Sequence, residues 1–229
     1  MSILKKIAIF GDSILRGIQV DSKSRRYHVD NHIDIDLLCR RHSLEVNNYS
    51  IFGCTVKKGG EMLQKRLDNG NVYDMVLLEY GGNDCDFNWK EIAENPDAEH
   101  SPHMPLESFY AVYHGIIRTL KEKFIKPVLA TLPPLEPQRF FDWFCGGLNR
   151  ENVLKWLGGS ITTIYRFQES YSRMVEKIAA ETGSRLIDLR GAFLKFRRID
   201  AFLCEDGIHP NTEGQKIITG ALLRFAEAL

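Results

Sequence analysis

The stretch IAIFGDSILRG, residues 7–17, decides the fold. Its first four residues are apolar and three of them are β-branched or aromatic, which predicts a buried strand that ends at Gly11. Because the carboxyl end of a parallel strand in an α/β sheet faces the crevice where such folds bind ligands, the hydroxyl of Ser13 can face a substrate. The alternative is that Ser13 caps the next helix, which is the commoner role for a serine taken alone.

The rest of the chain alternates between strand-like apolar runs and helical patterns, which predicts βαβ units and a parallel sheet. Further strands are predicted at about 44–49, 75–80, 128–131 and 185–189. Helices are predicted at about 33–42, 60–67, 106–123 and 163–182, and from about residue 211 to the C-terminus. Residues 20–31 and 85–105 are predicted to be loops. The length of 229 residues fits a single α/β domain over residues 1–229.

Residues 135–160 form an irregular segment that is rich in aromatic side chains. Long segments of this kind in compact domains tend to be lids or binding loops, so we expect a lid or pocket insertion here. The alternative is a simple excursion that packs on the core. Phe141, Trp143 and Trp156 are the candidate substrate-binding residues of the segment.

The charge balance excludes several classes of partner. The chain has 30 basic and 30 acidic residues, so no net field favours nucleic acid or an anionic membrane. No apolar run reaches the roughly 18–20 residues that span a bilayer. Residues 1–6 lead directly into the first strand without a separate apolar region and cleavage site, so we expect no signal peptide.

The cysteine pattern predicts a reduced, cytoplasmic compartment. The five cysteines are odd in number and scattered, without a C-x-x-C pair, which argues against a disulfide framework or a zinc site. Cys54 and Cys85 lie beside the motifs described below. They are interpreted as small packing residues, with modification in a pocket as the alternative.

Polar or small residues follow three of the predicted strands: Ser13, Gly53 and Asn83. The carboxyl ends of parallel strands share one sheet edge, so these residues can converge. A serine nucleophile needs a base within hydrogen-bond reach and a third group that holds the base. Asp206 and His209 can supply both, because the carboxylate can fix the imidazole tautomer and leave the other nitrogen free for the Ser13 proton. The amides of Ser13 and Gly53 and the Asn83 side chain can stabilise an oxyanion.

Each of these residues also has an ordinary structural interpretation. Gly53 can merely permit a left-handed turn, and residues 81–84 are turn-forming types. His209 can be a surface residue before a helix that starts with proline. Asp12 and Asp84 are interpreted as structural, because each can cap or brace a motif turn and neither is needed for proton transfer.

Taken together, the motifs resemble the SGNH hydrolases, the family also called GDSL esterases and lipases. Residues 11–13 are similar to its first block, with Ile14 in place of the usual leucine. Gly53 occupies the position of the second block. Residues 81–84 match the third block, G-x-N-D, and residues 206–210 match the fifth, D-x-x-H-P. The four blocks occur in the family's order along the chain.

The resemblance implies a three-layer α/β/α sandwich with five parallel strands in flavodoxin-like order. It also implies ester hydrolysis through an acyl-enzyme, with no metal and no cofactor. Ser13 is then the nucleophile, His209 the general base and later acid, and Asp206 the orienting carboxylate. Ser13, Gly53 and Asn83 form the oxyanion hole.

The implied partner is a small-molecule ester, with a short acyl or acetyl group on a sugar as our expectation. Thioesterase, lysophospholipase and acyltransferase activities stay open, as does the oligomeric state. A non-catalytic or nucleotide-binding flavodoxin-like module is the competing class, but the first turn lacks the G-x-G-x-x-G and G-K-[ST] patterns. A metal hydrolase has less support, because His28 and His32 are spaced like ligands without the glutamate of H-E-x-x-H.

Overall fold

A computed structural model describes residues 5–21 and 23–229. The strands are β1 (Lys5–Gly11), β2 (Ile18–Asp21), β3 (Arg26–Val29), β4 (Leu44–Asn48), β5 (Met75–Glu79), β6 (Lys126–Ala130) and β7 (Arg185–Ile187). The α-helices are α1 (Ser13–Arg16), α2 (Ile35–His42), α3 (Val56–Asp68), α4 (Trp89–Glu94), α5 (Leu106–Glu122), α6 (Pro137–Phe144), α7 (Arg150–Trp156), α8 (Thr162–Thr182), α9 (Leu189–Leu194) and α10 (Thr212–Glu227). A 3-10 helix covers Ile199–Phe202.

Five of the strands form a parallel sheet in the order β4-β1-β5-β6-β7. Alternate residues of a strand point to opposite faces, so each face of this sheet carries apolar side chains. Ala8 and Phe10 belong to a buried cluster with α3, α5 and α8, whereas Ile7 and Ile9 belong to one with α2, α9 and α10. These layers and the flavodoxin-like strand order confirm the predicted fold class.

Residues 20–31 are not the loop that the sequence predicts. Strands β2 and β3 pair antiparallel, with Ile18 opposite Val29 and Asp21 opposite Arg26. The strands are short and mostly exposed, so they lack the apolar alternation by which strands are recognised. The hairpin lies against the start of α10, where Gln19 Nε2 donates to Thr212 Oγ1 at 3.3 Å.

Two segments predicted to be irregular contain short helices. Helix α4 lies within 85–105 and ends just before Pro96. Helices α6 and α7 lie within 135–160, and the side chains of Glu136 and Asn149 cap their first turns. With α4 and the start of α8 they build a third buried cluster beside the sheet. The segment is therefore packed; its action as a lid stays a prediction.

Among the described residues, no helix has both the length and the apolar content needed to cross a bilayer. Residues 1–4, which contribute to the expectation that a signal peptide is absent, lie outside the described part of the chain.

Candidate active site

Ser13 lies in the first turn after β1, at the start of α1. The residue before it, Asp12, is the N-cap of this helix, and its Oδ1 accepts a hydrogen bond from Ile14 N at 2.9 Å. The capping role that is the alternative for Ser13 is thus filled by Asp12. The Ser13 hydroxyl is left to face the pocket beyond the carboxyl end of β1.

His209 meets Ser13 across 196 residues of sequence. Its Nε2 lies 2.8 Å from Ser13 Oγ, and its Nδ1 lies 2.5 Å from Asp206 Oδ2. All three residues are buried, with at most 7% of their surface exposed. The other oxygen of Asp206 accepts from the backbone N–H of Ile208 and of His209, each at 3.1 Å. Hydroxyl, imidazole and carboxylate therefore form one connected chain of hydrogen bonds.

Backbone hydrogen bonds hold the turn that carries Asp206 and His209 in place. Cys204 N donates to His209 O at 2.7 Å, and Gly207 O accepts from Glu136 N at 2.8 Å. Gly207 has φ of +75°, and a Cβ on it would lie 2.6 Å from Glu136 O. Only glycine fits this position without rearrangement, for both reasons.

Of the three predicted oxyanion donors, two are main-chain amides. Within the described residues, neither Ser13 N nor Gly53 N donates to a protein acceptor. Gly53 has φ of +69°, and a Cβ on it would have no neighbour within 4 Å, so the left-handed turn, not a close approach, explains glycine there. The third donor, Asn83 Nδ2, already contacts Asp12 Oδ2 at 2.9 Å and Cys54 O at 3.3 Å.

A second carboxyl group lies directly beneath this turn. Glu79, the last residue of β5, is 1% exposed and pairs with Gly11 across the sheet. Burial raises the pKa of Glu79 well above its ordinary value, and the neighbouring charge of Asp12 raises it further. Both effects favour the protonated form of Glu79, whereas the Asp12 carboxylate has hydrogen-bond donors in Ile14 N and Asn83 Nδ2.

Asp84 braces the site from the other side. Its carboxylate accepts from Val56 N at 3.0 and 3.2 Å, which caps α3 from a distant part of the chain. Helix α3 accordingly begins at Val56, four residues before the predicted start at Gly60, although its own N-cap residue Thr55 makes no side-chain cap. Burial raises the pKa of Asp84 to about 7. Asp12 and Asp84 thus make the bracing contacts expected from the sequence.

Aromatic side chains surround the imidazole at the open end of the site. The ring of Phe52 stacks on His209 with centroids 6.0 Å apart, and the ring of Tyr27 meets it edge-on at 5.1 Å. Trp143 lies 5.9 Å from Tyr27. Tyr27 and Phe52 are 38% and 46% exposed, respectively. We call Tyr27, Phe52 and Trp143 the aromatic rim.

A pocket of about 90 Å³ borders Ser13, and none of the three rim residues lines it. Its near end is formed by Asp12, Ser13, Glu79, Asn83 and His209. The remaining walls are mostly apolar and come from the segment after β6, from α4 and the residues just before it, from α6 and α8, and from the His209 turn: Phe87, Trp89, Leu132, Leu135, Phe140, Ile164, Phe167 and Ile208. The pocket therefore joins the candidate nucleophile to the third buried cluster.

The predicted substrate-binding residues do not line this pocket. Phe141 is 3% exposed and faces the cluster core, because it is turned about 100° around α6 from Phe140, which does line the pocket. Trp156 packs behind the wall, with its ring 4.9 Å from Phe87. Trp143 lies on the rim. A substrate-binding role for the segment stays a prediction, and the helix that decides which of its rings faces the pocket was not predicted.

The cysteines beside the motifs are buried. Cys85 borders the pocket, where its Sγ lies 3.2 Å from Gly82 O, and burial raises the pKa of its thiol well above the ordinary value. Burial also raises the pKa of Cys54. Thiols held protonated in this way are poor nucleophiles, which favours the packing interpretation. Within residues 5–21 and 23–229, no three His, Cys, Asp or Glu side chains converge as metal ligands would.

Sequence comparison agrees with the motifs. The GDSL-like Lipase/Acylhydrolase family matches residues 9–217, which is most of the chain. The chain belongs to this family. It is thus a GDSL-like protein, a member of a family of ester-bond hydrolases, as the resemblance of its motifs predicted.

Individual relatives of this GDSL-like protein are distant. A GDSL esterase/lipase of Arabidopsis thaliana is 25% identical over 159 residues, which cover 67% of this chain and 54% of that protein. The chain therefore spans about half of the plant relative. A lipase/acylhydrolase from Enterococcus faecalis has the same fold, with a TM-score of 0.67, 21% identity and coverage of 98% and 96% of the two chains. An acetylxylan esterase from Geobacillus stearothermophilus matches with a TM-score of 0.66, 22% identity and coverage of 99% and 96%.

Proposed function

We propose that this GDSL-like protein is a serine esterase that cleaves a carboxylic ester through an acyl-enzyme on Ser13. The observation that carries the proposal is the 2.8 Å contact between Ser13 Oγ and His209 Nε2, with Asp206 held on the opposite ring nitrogen. A hydroxyl, a base and an orienting carboxylate in hydrogen-bond contact are the arrangement that nucleophilic acyl transfer requires. The alternative of a nucleotide-binding module has no comparable support.

In the first half-reaction, Ser13 Oγ attacks the ester carbonyl carbon while His209 Nε2 takes the hydroxyl proton. The new C–O bond places the negative charge on the former carbonyl oxygen. When this intermediate collapses, the bond to the alcohol oxygen breaks and Nε2 returns its proton to the leaving alcohol. Asp206 stays ionised and holds Nδ1–H, which stabilises the imidazolium that forms between these steps.

In the second half-reaction, water attacks the acyl-enzyme. His209 Nε2 takes a proton from the water as the new C–O bond forms, and gives it to Ser13 Oγ as the ester bond to the enzyme breaks. The products are a carboxylic acid and the free enzyme. Neither half-reaction needs a metal or a cofactor.

The oxyanion is proposed to bind the N–H groups of Ser13 and Gly53 and the side chain of Asn83. Support comes from the two main-chain amides, which donate to no acceptor among residues 5–21 and 23–229. Asn83 has to exchange its longer contact, to Cys54 O at 3.3 Å, for the oxyanion, while its 2.9 Å contact to Asp12 can persist. Each such donor contributes on the order of 3 kcal/mol to transition-state stabilisation when it is preorganised.

The proposed substrate is a short-chain ester whose alcohol part is a sugar or another ring-bearing group. The aromatic rim supports this choice, because exposed aromatic faces provide apolar contact for such groups next to His209. The structural neighbour that is an acetylxylan esterase also supports a sugar ester. Because Tyr27 and Phe52 of the rim are exposed to solvent and the walls of the pocket beside Ser13 are mostly buried side chains, we place the alcohol at the rim.

Hydrolysis of p-nitrophenyl butyrate tests the proposal. The wild-type protein should release nitrophenolate, and Ser13→Ala should lower kcat/KM by about 10⁴-fold or more with the melting temperature preserved. Ser24→Ala, which changes an exposed serine, is the matched control and should keep wild-type activity. Equal rates for wild type and Ser13→Ala on a panel of esters would refute the proposal.

Two broader expectations stay predictions. One is that residues 1–229 act as a single domain, with 135–160 as an insertion beside the pocket. The other is a cytoplasmic location, which is inferred from the cysteine pattern.

A further inference from the structure

The walls of the pocket beyond Ser13 are mainly apolar, whereas its near end is polar. Leu135, Ile164 and Trp89 are at least 90% buried and present hydrocarbon to the space. Phe140 and Phe167 close it from α6 and α8. A group that enters the pocket past Ser13 therefore leaves water and meets mainly apolar surface, which favours a hydrocarbon chain.

The polar groups that border this space are already paired within the protein. Gln168 Nε2 donates to Pro133 O at 2.7 Å, and Gln168 Oε1 accepts from Arg190 at 2.9 Å. Asp86 Oδ1 accepts from Trp89 Nε1 at 2.7 Å. A hydroxylated or charged acyl group would find few free partners here, and burying such a group without hydrogen bonds is unfavourable.

The pocket is larger than an acetyl group requires. A water-sized group takes up about 30 Å³ in a liquid. At about 90 Å³, the pocket has room for roughly three such groups. An acetyl group places a single methyl in the pocket beyond the carbonyl carbon and leaves most of the apolar wall without contacts, whereas a chain of about four carbons extends along it.

We propose that this pocket binds the acyl chain of the substrate, and that the enzyme prefers unbranched acyl chains of about four carbons over acetyl. The inference rests on the proposed function and specifies the acyl group of the proposed ester substrate. It also assigns Phe140 and Phe167 as residues that limit chain length, because their rings close the pocket and both are only half-buried. The alcohol leaves on the other side of Ser13, past the exposed rings of Tyr27 and Phe52.

The test is a series of p-nitrophenyl esters from acetate to decanoate, with rates corrected by those of Ser13→Ala. From acetate to butyrate, kcat/KM should rise by about fourfold for each methylene that the pocket buries. It should then fall for octanoate and decanoate. An optimum at acetate would overturn the chain-length inference but leave the proposed function intact, whereas the absence of Ser13-dependent hydrolysis from every ester would overturn both.

Variants locate the preference in this pocket. Phe140→Ala and Phe167→Ala both enlarge it, so the optimum should move to longer chains by about two carbons or more. Tyr165→Ala removes a half-buried aromatic ring from the same helix as Phe167 without touching the pocket lining, and should keep the wild-type optimum. Melting temperatures show whether Phe140→Ala and Phe167→Ala are folded. If both are folded and the preferred chain length is unchanged in both, the assignment of Phe140 and Phe167 as chain-length limits is contradicted.

A series that varies the alcohol instead of the acid separates the two possible orientations. Butyrate esters of methanol, butanol and hexanol should show a weaker length dependence than the acyl series. A steep dependence on alcohol length together with a flat acyl series would place the alcohol in the pocket and overturn the inference.

Discussion

Asn83 Nδ2 donates to Asp12 Oδ2 at 2.9 Å, so the residue that precedes Ser13 holds the amide proposed to bind the oxyanion. The other oxygen of Asp12 accepts from Ile14 N and fixes the turn of the nucleophile. One buried carboxylate thus sets the relative position of two proposed catalytic groups that come from different strands.

The first prediction concerns this carboxylate. Asp12→Asn keeps the shape but replaces one accepting oxygen by an NH₂ group, so Ile14 N and Asn83 Nδ2 cannot both keep their partner. We expect kcat on p-nitrophenyl butyrate to fall by about 10- to 100-fold with little change in KM, because the misplaced amide acts in the transition state. A proportional rise in KM with unchanged kcat would contradict this.

A second prediction follows from the raised pKa of Glu79, which favours its protonated form. Glu79→Gln keeps a neutral group with a hydrogen-bond donor, so its kcat and melting temperature should stay close to wild type. Glu79→Leu removes the donor beside the buried Asp12 carboxylate, which should lower the free energy of unfolding by about 2 kcal/mol or more and reduce kcat. Equal losses in the two variants would show that Glu79 acts through a negative charge.

The pH dependence of stability tests Asp84, whose pKa burial raises to about 7. The folded state binds this proton more tightly than the unfolded state does. The contribution of the protonated Asp84 carboxyl group to the free energy of unfolding is therefore fully present below about pH 4 and is lost as pH rises to about 7. The Asp84→Asn variant has no carboxyl group at this position, so it lacks this pH dependence. Relative to this variant, the wild type should lose up to about 4 kcal/mol of unfolding free energy between about pH 4 and 8, measured by urea denaturation. If the unfolding free energies of the wild type and of Asp84→Asn changed with pH in parallel, the raised pKa of Asp84 would be contradicted.

Two glycines with positive φ provide a matched comparison. Gly53→Ala places a methyl group in open space, so only the backbone conformation is unfavourable and about 1 kcal/mol should be lost. Gly207→Ala adds a contact of 2.6 Å with Glu136 O and should cost clearly more. Because Gly207 lies between Asp206 and His209, its replacement should also reduce kcat. Equal unfolding free energies for the two variants would contradict this account.

The sheet and its edge could be predicted from sequence because their signals are local. A run such as residues 7–10 is apolar at every position, as expected of a strand buried on both faces, and the polar residues begin where the strand ends. The order of the motifs then indicated which residues converge, so Ser13 and His209 could be expected at one sheet edge.

The features that escaped prediction depend on distant contacts. Helix α3 begins at Val56 because Asp84, 28 residues later, caps it, and no local pattern contains that information. The hairpin that carries Tyr27 is exposed and polar, so its sequence is typical of a loop. Glu79 had a visible signal, a single acid at the end of the apolar run MVLLE, but its raised pKa depends on burial beside Asp12.

Covalent labelling of Ser13 tests the central claim most directly. Incubation with a p-nitrophenyl alkylphosphonate, followed by intact-protein and peptide mass spectrometry, should show one adduct per chain on the peptide that contains Ser13. The adduct should be absent from Ser13→Ala and should form much more slowly in His209→Ala. An adduct on another residue, or no adduct on a folded wild-type protein that hydrolyses esters, would contradict the account.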